Sequence, residues 1–435
     1  STSFTVGESL NTNGASFVAY LFAHNDGDGG FGPDADQDII KCGSYTTDGS
    51  GNAVVNLGFE PQFVITKGSN YISNWQIHDV MRGATVGGNA ETLRANNSDP
   101  EVSQSLKLEP NPTGFTSSQG VNGFNGIYMA IRRGPLAEPT SATDVFAIDT
   151  QVNQDPPLFD SGFPVDFALT RNVSSTANWA VGSRLIQGKQ LNTDNENAET
   201  SNPVFQFDFM DGWNSETLST NSNVYSWMWK RAPGYFDVVC YDGSGSNRTI
   251  SHNLGVAPEM IWVKSRSNSG HGWMTYHTGT GATHYMMVNS TAAAVDLDVI
   301  WNDTAPTSSV FSVGTGGSVN DSGKTYIAYL FASVAGVSKV GSYTGNGTSQ
   351  NIDCGFSGNA RFVLIKNASQ SDNWMVYDSV RGINSGTEGY LRLNSTAAEY
   401  TSGDHIDPYS GGFAPTSNDP STNRTGNTYI FYAIA

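Results

Sequence analysis

Cysteine is scarce: Cys42, Cys240 and Cys354 are the three in 435 residues. An odd number so widely spaced makes neither a disulfide framework nor a paired zinc spacing. Each is read instead as a small apolar residue in a buried strand. Positive charge is short as well, with 22 Lys and Arg against 40 Asp and Glu and a formal net charge of −18. Nucleic acid and anionic membrane surfaces both need cationic partners, so neither is expected here. No apolar run approaches the roughly 18 residues of a spanning helix, so membrane insertion is not expected. Charge of either sign is thin at 14%, where an ordinary soluble domain carries roughly 25%. No Gly-x-Ser-x-Gly, His-Glu-x-x-His or complete Gly-x-x-x-x-Gly-Lys-Ser/Thr phosphate loop occurs, so no familiar catalytic motif announces an enzyme.

Gly, Ser, Thr and Asn fill the space that charge leaves, and 22 Phe, 18 Tyr and 9 Trp accompany them. Short aromatic and β-branched runs between glycine-rich turns predict strands. No 3.6-residue pattern persists beyond about two turns. The expected class is all-β.

Self-similarity then sets the architecture. Asn373-Trp374-Met375-Val376-Tyr377-Asp378-Ser379-Val380-Arg381-Gly382 matches Asn74-Trp75-Gln76-Ile77-His78-Asp79-Val80-Met81-Arg82-Gly83. Weaker copies surround Trp273 and Trp179, and the four tryptophans are 104, 94 and 101 residues apart. Upstream of each Trp a strand ends in a basic residue: Lys67, Arg171, Lys264 and Lys366. Further upstream comes a glycine before an apolar residue, as Gly58-Phe59, Gly162-Phe163, Gly255-Val256 and Gly355-Phe356. Each copy closes on an aromatic strand that begins at Tyr128, Tyr225, Tyr326 or Tyr429.

These markers define tandem repeats of about 100-residue antiparallel β-sandwich units, jelly-roll-like in their spacing of short strands. Unit 1 spans residues 42–133, the divergent unit 2 spans 134–232, unit 3 spans 233–334 and unit 4 spans 335–435. A unit of this size can own a complete core, so four beads on a string are expected. Residues 1–41 hold the closing strand of a truncated preceding unit, Phe17–Phe22, followed by an acidic Gly/Asp connector. A lone strand leaves both ladder edges open, so residues upstream or a neighbouring chain are expected to complete it. Closed three-fold symmetry would hide such edges, and a homotrimer along a fibre axis is the expected assembly.

The stretch Val340-Gly341-Ser342-Tyr343-Thr344-Gly345-Asn346-Gly347 resembles a family of repeat proteins from marine bacteriophages, most of them described as tail or virion structural proteins. The resemblance continues in Thr249–Glu259, in Asn289-Ser290-Thr291-Ala292-Ala293 with its copy Asn394–Ala398, and in the C-terminal strand. It is good over units 1, 3 and 4 and weakest in unit 2, which lacks the Asp-x-x-Arg-Gly stretch. It implies a virion or extracellular setting and no active site.

Several residue groups suggest chemistry and are each weighed against a plainer role. Asp79 with Arg82 and Asp378 with Arg381 could be catalytic carboxylate–guanidinium pairs, but pairs three apart also close turns through charge-assisted hydrogen bonds. Asp26, Asp28, Asp34 and Asp36 are the candidate ligands for calcium, which favours oxygens in glycine-rich loops; a solvated acidic linker is the plainer and preferred reading. His271 and His277 alternate with Trp273 and Thr275, so one strand could present both to a metal, against a polar surface row. Tyr225, Trp227 and Trp229 share a strand face and could form a sugar-stacking platform, against a repacked core. Asn192–Asn197 reads as a solvated acidic loop. No cofactor is expected otherwise.

The expected function is that of a non-catalytic virion protein, the distal part of a phage tail fibre. It would attach to a host-surface glycan or protein and join other virion tail proteins. The alternatives are a purely structural fibre or capsid decoration, and a polysaccharide depolymerase. Contacts with the host are expected on the segments 84–105, 185–200, 284–302 and 383–407, because loops vary where scaffolds persist.

Overall fold

The computed structural model describes residues 3–24, 30–32, 35–104, 107–153, 155–215 and 220–435. Nearly all regular structure is β-strand, and helix is confined to turns of three or four residues. In unit 1 the main sheet runs, from edge to edge, Ile40–Thr46, Asn125–Arg132, Pro61–Gly68, Gln76–Asp79, Ala90–Arg94 and Val102–Gln104, with every pair antiparallel. The first and last strands of the unit are thus neighbours, which closes each repeat on itself.

Unit 2 repeats this order with Phe146–Gln151, Asn221–Trp229, Phe167–Asn172, Ala180–Ser183, Lys189–Asn192 and Thr200–Ser201. Unit 3 does so with Phe236–Asp242, Thr325–Phe331, Met260–Ser265, Met274–His277, His284–Met287 and Val295–Asp296. Unit 4 has Ser338–Thr344, Thr428–Ile434, Phe362–Asn367, Trp374–Asp378 and Leu391–Arg392. A smaller sheet of two or three strands covers one face of each main sheet. In unit 1 it brings Val55, Leu108 and Phe115 against Val64 and Ala130. The glycine before the apolar residue sits at positive φ in all four copies (77°, 78°, 82° and 73°), where an L side chain is strained.

The four tryptophans occupy one equivalent position. The backbone N–H of Trp75, Trp179, Trp273 and Trp374 donates to the side-chain oxygen of Asn96, Asp194, Asn289 and Asn394 respectively. Each Trp carbonyl then accepts from the residue before that partner, namely Ala95, Thr193, Val288 and Leu393.

The expectation of separate beads is wrong for units 2–4. Besides its own sandwich core, each of these sheets turns its second face into one shared core. That core joins Phe167, Leu169 and Trp227 of unit 2 with Trp262, Tyr329 and Phe331 of unit 3 and Phe362, Leu364 and Tyr432 of unit 4. Strand burial shows the same thing. Met260–Ser265 and Phe362–Asn367 are buried at every position, whereas Pro61–Gly68 in unit 1 alternates over most of its length. A sheet buried on both faces reads as a continuous apolar run, and one with a single covered face alternates.

The expected orphan strand Phe17–Phe22 forms no strand, and Phe17, Val18, Tyr20, Leu21 and Phe22 are exposed. Cys42 and Cys240 lie in strands, half-buried, and Cys354 is buried just past Ile352–Asp353; all three are free thiols. Burial raises each thiol pKa, to about 11 at Cys240 and about 12 at Cys354, which disfavours the reactive thiolate.

Candidate functional site

The residues that make the repeat recognisable also join the units. The indole Nε1 of Trp179 in unit 2 donates to the carbonyl of Arg392 in unit 4 at 2.9 Å. Trp374 of unit 4 donates to Met287 of unit 3 at 2.9 Å, and Trp273 of unit 3 donates to Asn192 of unit 2 at 2.7 Å. The three bonds run head to tail and close a ring, which is how a heterologous interface closes when its rotation permits.

The basic residue that ends each strand works in the same seams. Arg171 donates to the carbonyls of Ser395, Thr396 and Ala397. Lys366 reaches the carbonyl of Thr291 at 3.2 Å, and Lys264 reaches that of Glu196 at 3.5 Å. Carbonyl dipoles, with no carboxylate at ion-pair distance among the described residues, receive these two ammonium groups, and burial brings both lysine pKa values down to about 8. Two backbone bonds complete each seam. They are Ala177 N–H to Thr396 with Glu399 to Val173, Gly270 to Glu196 with Glu199 to Arg266, and Asp372 to Thr291 with Ala294 to Ala368. The Asn-Ser-Thr-Ala-Ala motif is therefore the loop that receives the neighbouring unit. The acidic stretch Asn192–Asn197 fills that place in unit 2 and is not a free solvated loop. Segments 185–200, 284–302 and 383–407 are accordingly committed in part to seams, and Leu185, Leu191, Met286 and Leu391 among them are buried.

The Asp–Arg pairs close turns. Asp79 Oδ1 accepts the backbone N–H of Arg82 at 2.9 Å and its Oδ2 accepts Arg82 Nε at 2.6 Å. The copies in unit 4 measure 2.9 and 2.7 Å. Asp378 has a second task, because its Oδ2 also accepts Trp227 Nε1 of unit 2 at 3.1 Å, and Arg381 lies over the same indole at 5.6 Å. Trp227 and Trp229 are buried in the shared core and Tyr225 is half-buried against it, so this face offers no platform to a sugar.

His271 and His277 go to different partners. His271 precedes its strand and contacts Ser318 Oγ. His277 is fully buried, accepts the N–H of Gly279 on Nδ1 and faces the Phe431 carbonyl of unit 4 at 3.4 Å. Burial lowers its pKa to about 4, so it is neutral at physiological pH. Asp26, Asp28 and Asp34 of the calcium reading lie outside the described residues, and Asp36 is exposed. Among the described residues no group of three metal-ligating side chains converges.

Sequence reasoning missed a charge cluster where unit 1 meets the ring. Arg231 is fully buried and donates to Glu60 at 2.9 Å, while its backbone N–H donates to Asp166 at 2.7 Å. Arg184 pairs with Asp166 at 3.3 Å and Arg133 with Asp237 at 3.5 Å. Burial would raise the Asp166 pKa, but Arg231, Arg184 and Arg133 outweigh it and hold the carboxyl below its ordinary range. Three cations balance three anions, which is the condition under which buried charge is tolerated. No spacing in the sequence marks this cluster, because its members come from three units. Elsewhere along their contact, unit 1 and unit 3 enclose a polar groove of about 380 Å³, lined in part by Asn111, Tyr241, Arg248 and Arg266.

No curated protein matches the chain. One family model, described as a domain of unknown function (DUF7483), matches residues 1–135 and 162–435. The gap falls at the start of unit 2, the copy that departs most from the repeat. With all but that short stretch matched, the chain belongs to the DUF7483 family.

Proposed function

We propose that this chain is a non-catalytic virion protein, the distal part of a phage tail fibre that attaches to a host-surface glycan or protein. The observation that carries this reading is the ring itself. Three copies of one sandwich are fused on a common core, so their outer sheets and turns are held in fixed mutual geometry. A rigid body of repeated, outward-facing surfaces suits multivalent contact, in which several weak sites act together. The polar pairs that invite a catalytic reading support the same conclusion, since Asp79–Arg82 and Asp378–Arg381 are spent on closing turns. The resemblance to marine bacteriophage tail proteins supplies the virion setting.

Two experiments test it together. Antibody-gold labelling of purified phage particles should mark the tail tips, and fluorescent full-length chain should decorate host cells without shortening their envelope polysaccharide. Tip labelling without decoration leaves a structural fibre protein. Shortened polysaccharide restores a depolymerase.

A further inference from the structure

Unit 1 keeps the ring-forming face of the repeat but has no partner unit for it among the described residues. The registers align one row of five residues across each main sheet. In unit 4 the row is Val340, Tyr432, Leu364, Val376 and Leu391, and all five are buried in the shared core. In unit 1 the same register gives Cys42, Met129, Ile65, Ile77 and Leu93. That row is as apolar as its counterpart, yet it belongs to none of the hydrophobic cores and stays partly open to solvent. A sheet face that met only water would carry polar residues at these positions.

The directional contacts of the seam are unmade in the same place. Trp75 is 37% exposed where Trp179 and Trp273 are 0% exposed. Among the described residues its indole Nε1 has no hydrogen-bond partner, and the carbonyl of Arg94, the counterpart of Arg392, accepts only from its own turn. Lys67 folds back onto the Ser73 carbonyl of its own loop. Lys264 bonds the His271 carbonyl of its own loop in the same way at 2.9 Å, but Lys264, Arg171 and Lys366 each add a contact to a neighbouring unit that Lys67 lacks among the described residues. Next to Trp75, Tyr71 and Ile72 project into solvent.

We propose that this face binds two further copies of the chain, so that three copies of unit 1 close an intermolecular ring like the one units 2–4 form within a chain. The occupant follows from the chain itself: the same face, in the same register and with the same Trp and basic residue, closes a ring of three when three copies are available. Each Trp75 would then donate to Arg94 of the next copy, and each Lys67 would turn outward to the carbonyls after Asn96. The proposal stands apart from the virion reading, since a trimer could form whatever it binds.

Light scattering on the full chain at about 10 μM tests it. The expected mass is three times the 46.5 kDa of one chain. Ile65→Lys places a charge in the middle of the row and should give a monomer with an intact far-UV spectrum. Ile127→Lys, on the same face and 40% exposed, is the second variant should Ile65→Lys fail to fold. Val54→Lys, on the small sheet and 79% exposed, should remain trimeric. A monomeric or dimeric wild type would overturn the proposal, and so would a trimer that survives either charge on the row.

Discussion

Trp273→Ala is the perturbation that reads most about the ring. The Trp273 side chain is fully buried against Tyr329 and donates to the Asn192 carbonyl across the unit 3–unit 2 seam. Emptying a buried aromatic site costs about 3–5 kcal/mol, and the unpaired carbonyl adds to that, so about 4 kcal/mol is a conservative loss. How that loss appears depends on what unfolds together. Units 2–4 comprise about 300 residues, and at roughly 2.1 cal/mol/K per residue a loss of about 4 kcal/mol lowers their common midpoint by about 6 °C. In an independent bead of about 100 residues the same loss would lower one midpoint by about 19 °C and leave the other two in place. Scanning calorimetry separates the two cases. A single endotherm moved down by about 6 °C is expected, and an endotherm that splits, with one third of the heat displaced, would refute the shared core.

The remaining predictions concern charge and pH. Arg231→Met should cost about 3–5 kcal/mol in urea unfolding, because Glu60, Asp166 and Asp237 keep their burial and lose a cation; a change under 1 kcal/mol would show the cluster to be solvated. His277 has a folded pKa lowered from 6.5 to about 4, so its contribution is complete above pH 6.5 and is lost as pH falls toward 4. The loss is about 3 kcal/mol at most. His277→Gln should flatten that part of the pH profile measured by denaturant midpoints, and an unchanged profile would count against the burial. The depressed carboxyl of Asp166 gives stability that is present above its ordinary pKa near 4 and lost below it, so Asp166→Asn should blunt acid unfolding in the same assay. Asp378→Asn should destabilise more than Asp79→Asn, by about 3 against about 1 kcal/mol, since Asp378 is fully buried and also holds Trp227. Equal losses would deny the inter-unit bond.

The repeat was legible because its markers are directional and local. Trp374, Asp378, Arg381 and Gly382 keep their spacing from Trp75, Asp79, Arg82 and Gly83 because a strand, a short turn and a left-handed glycine fix it. The arrangement of the units was not legible in this way, because seams join residues 67 to 226 positions apart through backbone carbonyls, which carry no residue code. One signal was present all the same. Phe362-Val363-Leu364-Ile365 and Met260-Ile261-Trp262-Val263 are apolar at every position, which marks a sheet covered on both faces. Tyr225, Trp227 and Trp229 proved to be the repacked core rather than a sugar platform, although a row of aromatics on a strand does not say which face another unit will cover. The charge cluster around Arg231 had no signal at all, because Glu60, Asp166 and Asp237 are ordinary acidic residues until the fold brings them together.

The shared core is the centre of this account, and small-angle scattering of residues 136–435 tests it most directly. A compact body of that length has a radius of gyration of about 19 Å. Three separate units of about 100 residues in line, each about 13 Å in radius of gyration and touching end to end, would give about 30 Å. A value near 19 Å is the expected result, and a value near 30 Å would contradict the ring.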